Sequence, residues 1–208
     1  MYAIQAGADA LELDVGVTKD DALVVSHDPH IRGMAIRELT LAELREYDRA
    51  IPTLDQVLAL ADRGDFQFDI EIKCFPDHPE LTPPPEEFAR LVLDEIRRHR
   101  AESRVVVQSF DFRTLRAMHR LAPGIRLAAL WEGEPRPFTE IARSADAEIV
   151  SPHFSLVTPE QVQAAHKAGL QVVPWTANAP EDWHGLIQAG VDGIITDDPA
   201  SLIAFLKP

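Results

Sequence analysis

The sequence predicts an α/β fold built on a mainly parallel sheet, and three observations predict it. Short apolar runs alternate with amphipathic, capped segments from residue 105 to the C-terminal end, the pattern of repeated strand–helix crossovers. Two earlier strand-like stretches alternate carboxylates with apolar residues, which places acids on one face and the apolar residues on the other. A tight polar turn joins the first of these stretches to a short returning strand, so one hairpin is expected beside the parallel set. The 208 residues suit a single domain over 1–208 with a sizeable core.

Taken in order, residues 1–6 read as the last turns of a helix stopped by Gly7. Residues 8–29 then form two strands about a turn near Asp20. Leu11, Leu13 and Val15 share one face of the first, and Glu12 and Asp14 share the other. Antiparallel counting sets Gly16 opposite Val24 and Asp14 opposite Ser26, which brings His27 beside both carboxylates. Residues 30–39 read as irregular, with a turn at Gly33. Thr40 with Glu43 and Thr53 with Gln56 are capping boxes that open helices over 41–47 and 54–61.

The strand over 66–73 repeats the charged alternation through Asp69, Glu71 and Lys73. The loop 75–85 carries five of the sixteen prolines and reads as a lid or a partner surface. An amphipathic helix over 86–99 follows. Strands are then expected over 105–109, 127–131, 148–152, 170–175 and 193–196. They alternate with helices over 112–121, 138–144, 159–169 and 181–189, and with a last one capped by Asp198.

A net charge of −14 argues against nucleic acid and anionic membrane surfaces as partners. It also opposes an anionic substrate unless a bound cation reverses the local field. No apolar run approaches ~20 residues, so no integral membrane segment is expected, and the chain is assigned to the cytoplasm. The single cysteine, Cys74, forms no intrachain disulfide; its place in the alternation turns it towards a helix as an inert thiol. A single acid-apolar-acid strand is often just a solvated face. Two of them plus a histidine on a hairpin favour a divalent-cation site.

GADALELDV (7–15), VVSHDP (24–29), IEIK (70–73), QSF (108–110), PWTAN (174–178) and GVDGIITDDP (190–199) together resemble the glycerophosphodiester phosphodiesterases. The likeness covers nearly the whole chain. It implies a TIM-type (β/α)8 barrel. The family opens with a His-Arg-Gly strand and a helix ahead of the GAD, and this chain has no counterpart to that strand. The strand count agrees. Setting the hairpin arm aside, seven main strands are expected where a TIM barrel has eight. The expected fold is therefore a TIM-type barrel lacking its first strand and most of its first helix, with an accessory β-hairpin after the first strand present. Such a barrel should be open or distorted, with exposed edges suited to self-association.

In that barrel Leu11, Leu13, Ile70 and Ile72 point outward, while Glu12, Asp14, Asp69, Glu71 and Lys73 point inward. Glu12, Asp14 and Glu71 offer the all-oxygen set that Mg²⁺ or Ca²⁺ prefers, and they match the family's metal ligands. An ion-pair layer with Lys73 is the plainer reading. His27 is the expected catalytic acid/base group. The resemblance makes Lys73 a phosphate contact, and Trp175 could pack against the glycerol or leaving group. The function implied is metal-dependent hydrolysis of glycerophosphodiesters to glycerol 3-phosphate and an alcohol, impaired by the want of the first histidine. The alternatives are an inactive fragment or pseudoenzyme that binds cation or phosphate, and a related phospholipase C/D-type phosphodiesterase.

Overall fold

A computed structural model describes residues 1–207 of the chain. Helix α1 (Tyr2–Ala6) ends at Gly7, whose φ of 87° suits glycine and would strain any residue with a Cβ. Strand β1 (Ala10–Val17) turns back as β2 (Leu23–Val25). The Thr18 hydroxyl closes this turn, donating to Asp20 Oδ1 at 2.6 Å and accepting from the Ala22 N–H at 3.0 Å. Gly16 lies opposite Val24, and the Ser26 N–H donates to the Asp14 carbonyl at 3.0 Å, the register obtained by counting. Residues 30–39 are more regular than expected. They hold a small antiparallel pair, β3 (His30–Ile31) and β4 (Met34–Ala35), turned at Gly33.

Both capping boxes form. Thr40 and Glu43 open α2 (Leu41–Tyr47), and Thr53 and Gln56 open α3 (Leu54–Leu58), which tightens early into a 3₁₀ turn over Ala59–Arg63. Then come β5 (Gln67–Ile72), α4 (Pro85–Arg98), β6 (Val105–Ser109) and α5 (Phe112–Leu121). The chain continues through β7 (Arg126–Trp131), α6 (Phe138–Ala145), β8 (Ile149–Pro152) and α7 (Pro159–Lys167). It closes with β9 (Gln171–Val172), α8 (Pro180–Ala189) and α9 (Pro199–Leu206).

The sheet order is β2-β1-β5-β6-β7-β8-β9, with β2 antiparallel to β1 and every other neighbouring pair parallel. This is a TIM-type β/α arrangement, open on one side. The expected strand over 193–196 is a correction: it runs beside β9 without forming a regular ladder. Its bonds are scattered, Asp192 N–H to the Val172 carbonyl and Ile195 N–H to the Pro174 carbonyl, both at 2.9 Å. Pro174 has no N–H to return, and β9 itself spans only Gln171–Val172. Among the described residues no backbone hydrogen bond joins β1 to 193–196, so the sheet curls without closing. A cavity of about 690 Å³ lies along this opening, bordered by Ala10, Glu12, Asp69, Ser151, Ile194 and Leu202.

The main core lies between the outer strand faces and the helices. Leu13, Val15, Phe68, Ile70 and Ile72 pack there with Phe88, Val92, Ile96, Leu115 and Met118. The outward set predicted from alternation is thus the buried apolar layer. Inside the curled sheet the apolar content is slight, with Val106, Ala128 and Ile149 backed by Val173.

Ile70 is fully buried between two inward carboxylates of its own strand, so its side chain anchors the site from behind. Ile70→Ala should lower the free energy of unfolding by about 2–5 kcal/mol and Ile70→Val by about 0.5–1.5 kcal/mol, read from urea midpoints at a constant m-value.

Candidate active site

Parallel pairing of β1 with β5 sets Glu12 beside Asp69 and Asp14 beside Glu71. Side chains alternate along a strand, so this register turns all four carboxylates to the inside of the curl. Carboxylate oxygens of Glu12, Asp14 and Glu71 lie within 4.8 Å of one another. At that spacing two unit charges repel by roughly 3 kcal/mol at an effective dielectric constant of about 20. Lys73, just past the end of β5, brings its ammonium 3.1 Å from Asp14 Oδ1. The Gln108 amide, inward on β6, donates to Glu12 Oε1 at 3.1 Å.

These contacts leave the cluster acidic. Burial raises the proton affinity of Glu71, and the Asp14 carboxylate adds to the effect; Lys73 offsets part of it. Glu12 borders the cavity, where water reaches it, yet protein surrounds it on its other sides. Its pKa is pushed up to about 7, by this crowding first and then by Asp14, while the Gln108 amide works in the opposite direction. Deeper still, Asp69 is buried and its pKa is pushed up to about 8 by burial and then by Glu12. A hard divalent cation fits a group of this kind, because it replaces both protons and repulsion with oxygen ligation.

His27 stands elsewhere in the arrangement. Its backbone adjoins Asp14 through Ser26, but its imidazole is 76% exposed and holds Asp28 Oδ1 on Nδ1 at 3.0 Å. Trp175 lies on the rim. Its indole N–H donates to the Ser151 carbonyl at 2.8 Å, and its ring meets Phe110 and His153 edge-on, each with centroids 5.4 Å away. Nearby, Asn178 ties the two C-terminal motifs together. It donates to Asp197 Oδ2 at 2.7 Å and accepts from the Asp197 N–H at 2.9 Å. Cys74 packs against Thr114 of α5, its pKa pushed up to about 11 by burial, as an inert thiol should be.

Sequence reading assigned no role to Gln108 or Phe110. For Gln108 a signal existed, since it is the one polar residue at an inward position of an otherwise apolar run, Val105 to Val107. Phe110 carried none, because only the fold brings β6 and residue 175 together. A second cluster, Asp55, Glu95 and His99, lies on the helical layer, but Arg98 already contacts both of its carboxylates.

An inward carboxylate triad with one lysine thus sits at the open end of a β/α barrel, a donor set that could hold a divalent cation. The chain belongs to the glycerophosphoryl diester phosphodiesterase family, whose model matches residues 1–201. A glycerophosphodiester phosphodiesterase of Caldanaerobacter subterraneus subsp. tengcongensis is 34% identical, with 99% of this chain and 88% of that protein covered. One from Bacillus altitudinis is 32% identical over 95% of this chain and 86% of that protein. The crystal structure of a glycerophosphodiester phosphodiesterase from Parabacteroides distasonis superposes with a TM-score of 0.86 at 28% identity, covering 98% and 86% of the two chains. The fold is shared with an Oleispira antarctica phosphodiesterase solved with the product sn-glycerol-3-phosphate, at a TM-score of 0.85, 22% identity, and 97% and 86% coverage. No helix among the described residues is long and apolar enough to cross a membrane.

The raised carboxyl groups make stability pH-dependent with a definite sign. Between the ordinary value of 4.5 and about 7, the unfolded chain gives up the Glu12 proton before the folded chain does. Unfolding is therefore favoured progressively as pH rises through that window, and Glu71 and Asp69 act in the same direction. Without divalent cation the melting temperature should fall from pH 5 to pH 7.5. Millimolar Mg²⁺ or Ca²⁺ should restore it, by more at the higher pH, because the cation competes with protons. Glu71→Gln should flatten the cation response. A melting temperature indifferent to both cations at pH 7.5 would count against the site.

Proposed function

We propose that this chain hydrolyses glycerophosphodiesters to glycerol 3-phosphate and an alcohol, using Mg²⁺ or Ca²⁺ held by Glu12, Asp14 and Glu71. The observation that carries this reading is the convergence of those three carboxylates within 4.8 Å, beside an ammonium at 3.1 Å. Membership of the family and the activity named for the 34% and 32% identical relatives support it. The donor set fits a hard cation, being oxygen throughout, with no thiolate or imidazole within the group. When bound, the cation supplies a Lewis acid for a non-bridging phosphate oxygen.

The remaining work falls to side chains of this chain. Lys73 is anchored by Asp14, so its ammonium is held at the barrel mouth, where it can bind a second phosphate oxygen. His27 is exposed on the hairpin that pairs with β1. There it gives a proton to the departing alcohol oxygen as the phosphorus–oxygen bond breaks, while the oxygen of a water molecule forms the new bond to phosphorus and the proton that water releases recharges the imidazole. Trp175, fixed by its bond to Ser151, offers an aromatic face to the carbon skeleton of the substrate. Binding of cation and phosphate without turnover is the second reading. It is favoured by the engagement of His27 with Asp28 rather than with the carboxylate group.

Release of glycerol 3-phosphate from glycerophosphocholine and glycerophosphoethanolamine tests the proposal. It should require Mg²⁺ or Ca²⁺ and stop with a chelator. His27→Ala should lower kcat by about 10²–10⁴-fold with cation stabilisation intact. Glu71→Gln should lose both the activity and the stabilisation. Cation stabilisation with no product from either diester would leave the second reading standing and remove the first.

A further inference from the structure

The inner face of the curled sheet is built in layers, and on one half of the mouth the outermost layer is aromatic. Ala128 and Ile149 face inward, as does Gln108, which reaches Glu12. Side chains alternate along a strand, so the inward positions nearest the mouth are Phe110 after β6, Glu132 after β7, His153 after β8 and Trp175 beyond β9. Backbone bonds hold the last three side by side. His153 N–H donates to the Trp131 carbonyl at 2.7 Å, and Phe154 N–H to the Trp175 carbonyl at 2.8 Å. The acids of β1 and β5 line the other half of the mouth.

The rings form walls rather than a closed plug. Phe110 and His153 each stand upright against Trp175, at interplanar angles of 89° and 85°. Trp175 is fixed through Ser151, and His153 through Ser155, whose N–H donates to Nδ1 at 3.4 Å. An Nδ1 that accepts carries no proton, so the imidazole in this arrangement is neutral and repels no cation. Phe154 backs the imidazole, with ring centroids 4.6 Å apart. Packing alone would bury Phe110, yet it is 40% exposed between the buried Ser109 and Asp111. Glu132, beside this wall, is exposed as well. The face of an aromatic ring is its electron-rich side and attracts a cation. Hydroxyl groups set against such faces would lose their bonds to water and gain no partner.

We propose that this wall is the subsite for the alcohol half of the diester and that it selects a quaternary ammonium, with N-methyl groups against Phe110, His153 and Trp175 and the charge answered by Glu132. The inference rests on the proposed function, which sets the phosphate at the carboxylate triad and Lys73. A primary ammonium is held by water through its N–H groups, for which the rings offer no acceptor; three methyl groups bring apolar surface instead. Charge points the same way. The net charge of −14 opposes an anionic diester but favours the cationic end of a zwitterionic one.

The test compares three diesters of glycerol 3-phosphate: those of choline, of ethanolamine, and of neohexyl alcohol, which has the shape of choline with carbon in place of nitrogen. With Mg²⁺ present, kcat/KM should be about five- to thirtyfold higher for the choline diester than for the neohexyl one. The ethanolamine diester should fall between them. Phe110→Leu and Glu132→Gln should each draw the choline-to-neohexyl ratio towards one, whereas Phe110→Tyr, which keeps the ring, should preserve it. Hydrolysis of the choline and neohexyl diesters with equal kcat/KM overturns the inference and leaves the proposed function standing. A Phe110→Leu variant that loses activity on all three in equal proportion overturns it too, since the ring is then structural. If none of the diesters is hydrolysed, calorimetric titration of each onto the chain with Mg²⁺ reads the same ratio as affinity. The expected order in that titration keeps the ammonium subsite and removes the hydrolysis; equal affinities, or no binding, remove both.

Discussion

Everything at the mouth depends on the parallel register of β1 with β5. Because Asp14 pairs with Glu71 and Glu12 with Asp69, one strand contact gathers four acids on the inner face of the sheet. The same contact turns Leu13, Val15, Phe68, Ile70 and Ile72 into the helical layer. A slip of one residue in either strand would bury acids among Phe88 and Ile96 and turn the apolar set inward. The hydrophobic effect on the outer face therefore holds the repelling carboxylates together. Lys73 and Gln108 moderate that repulsion without neutralising it.

A half-neutralised cluster is a chemical statement. Full ion pairing would quench the field that draws a cation, and full solvation would spread the acids apart. Here burial raises the proton affinity of Glu71 and Glu12, so a cation held as proposed would compete with protons near neutral pH. Under the proposed function that competition also bears on the net charge of −14, since a cation would reverse the local sign that otherwise opposes a substrate anion. The rim is set independently by loops: Trp175 hangs on the Ser151 carbonyl, and Asn178 clamps 176–178 to 196–197.

The open flank carries a different kind of cost. Closed barrels remove strand edges, whereas this sheet ends at the short β2 and the part of β1 below it on one side, and at a non-laddered segment on the other. Unpaired backbone groups, two orphaned buried acceptors and exposed Tyr2, Ile187 and Leu206 all meet there. Tyr2 nonetheless reaches across to Asp198 at 2.6 Å, so α1 stays beside α9 at the base of the opening.

By itself the sequence determined the inward and outward faces of β1 and β5, the hairpin register about Asp20, both capping boxes and the acidic triad. Each follows from interactions within a few residues, namely side-chain alternation, turn geometry and cap hydrogen bonds. The family likeness came from the same local runs. Only the tertiary structure decided where 193–196 lies, because its pairing depends on Pro174, which offers no N–H from the adjoining segment. It also decided that Gln108 reaches Glu12 across 96 positions of sequence and that Phe110 meets Trp175. His27 shows the boundary between the two. Counting placed its backbone beside Asp14, but the direction of its ring is a free torsion beyond the last paired residue, and there Asp28 is the nearest partner.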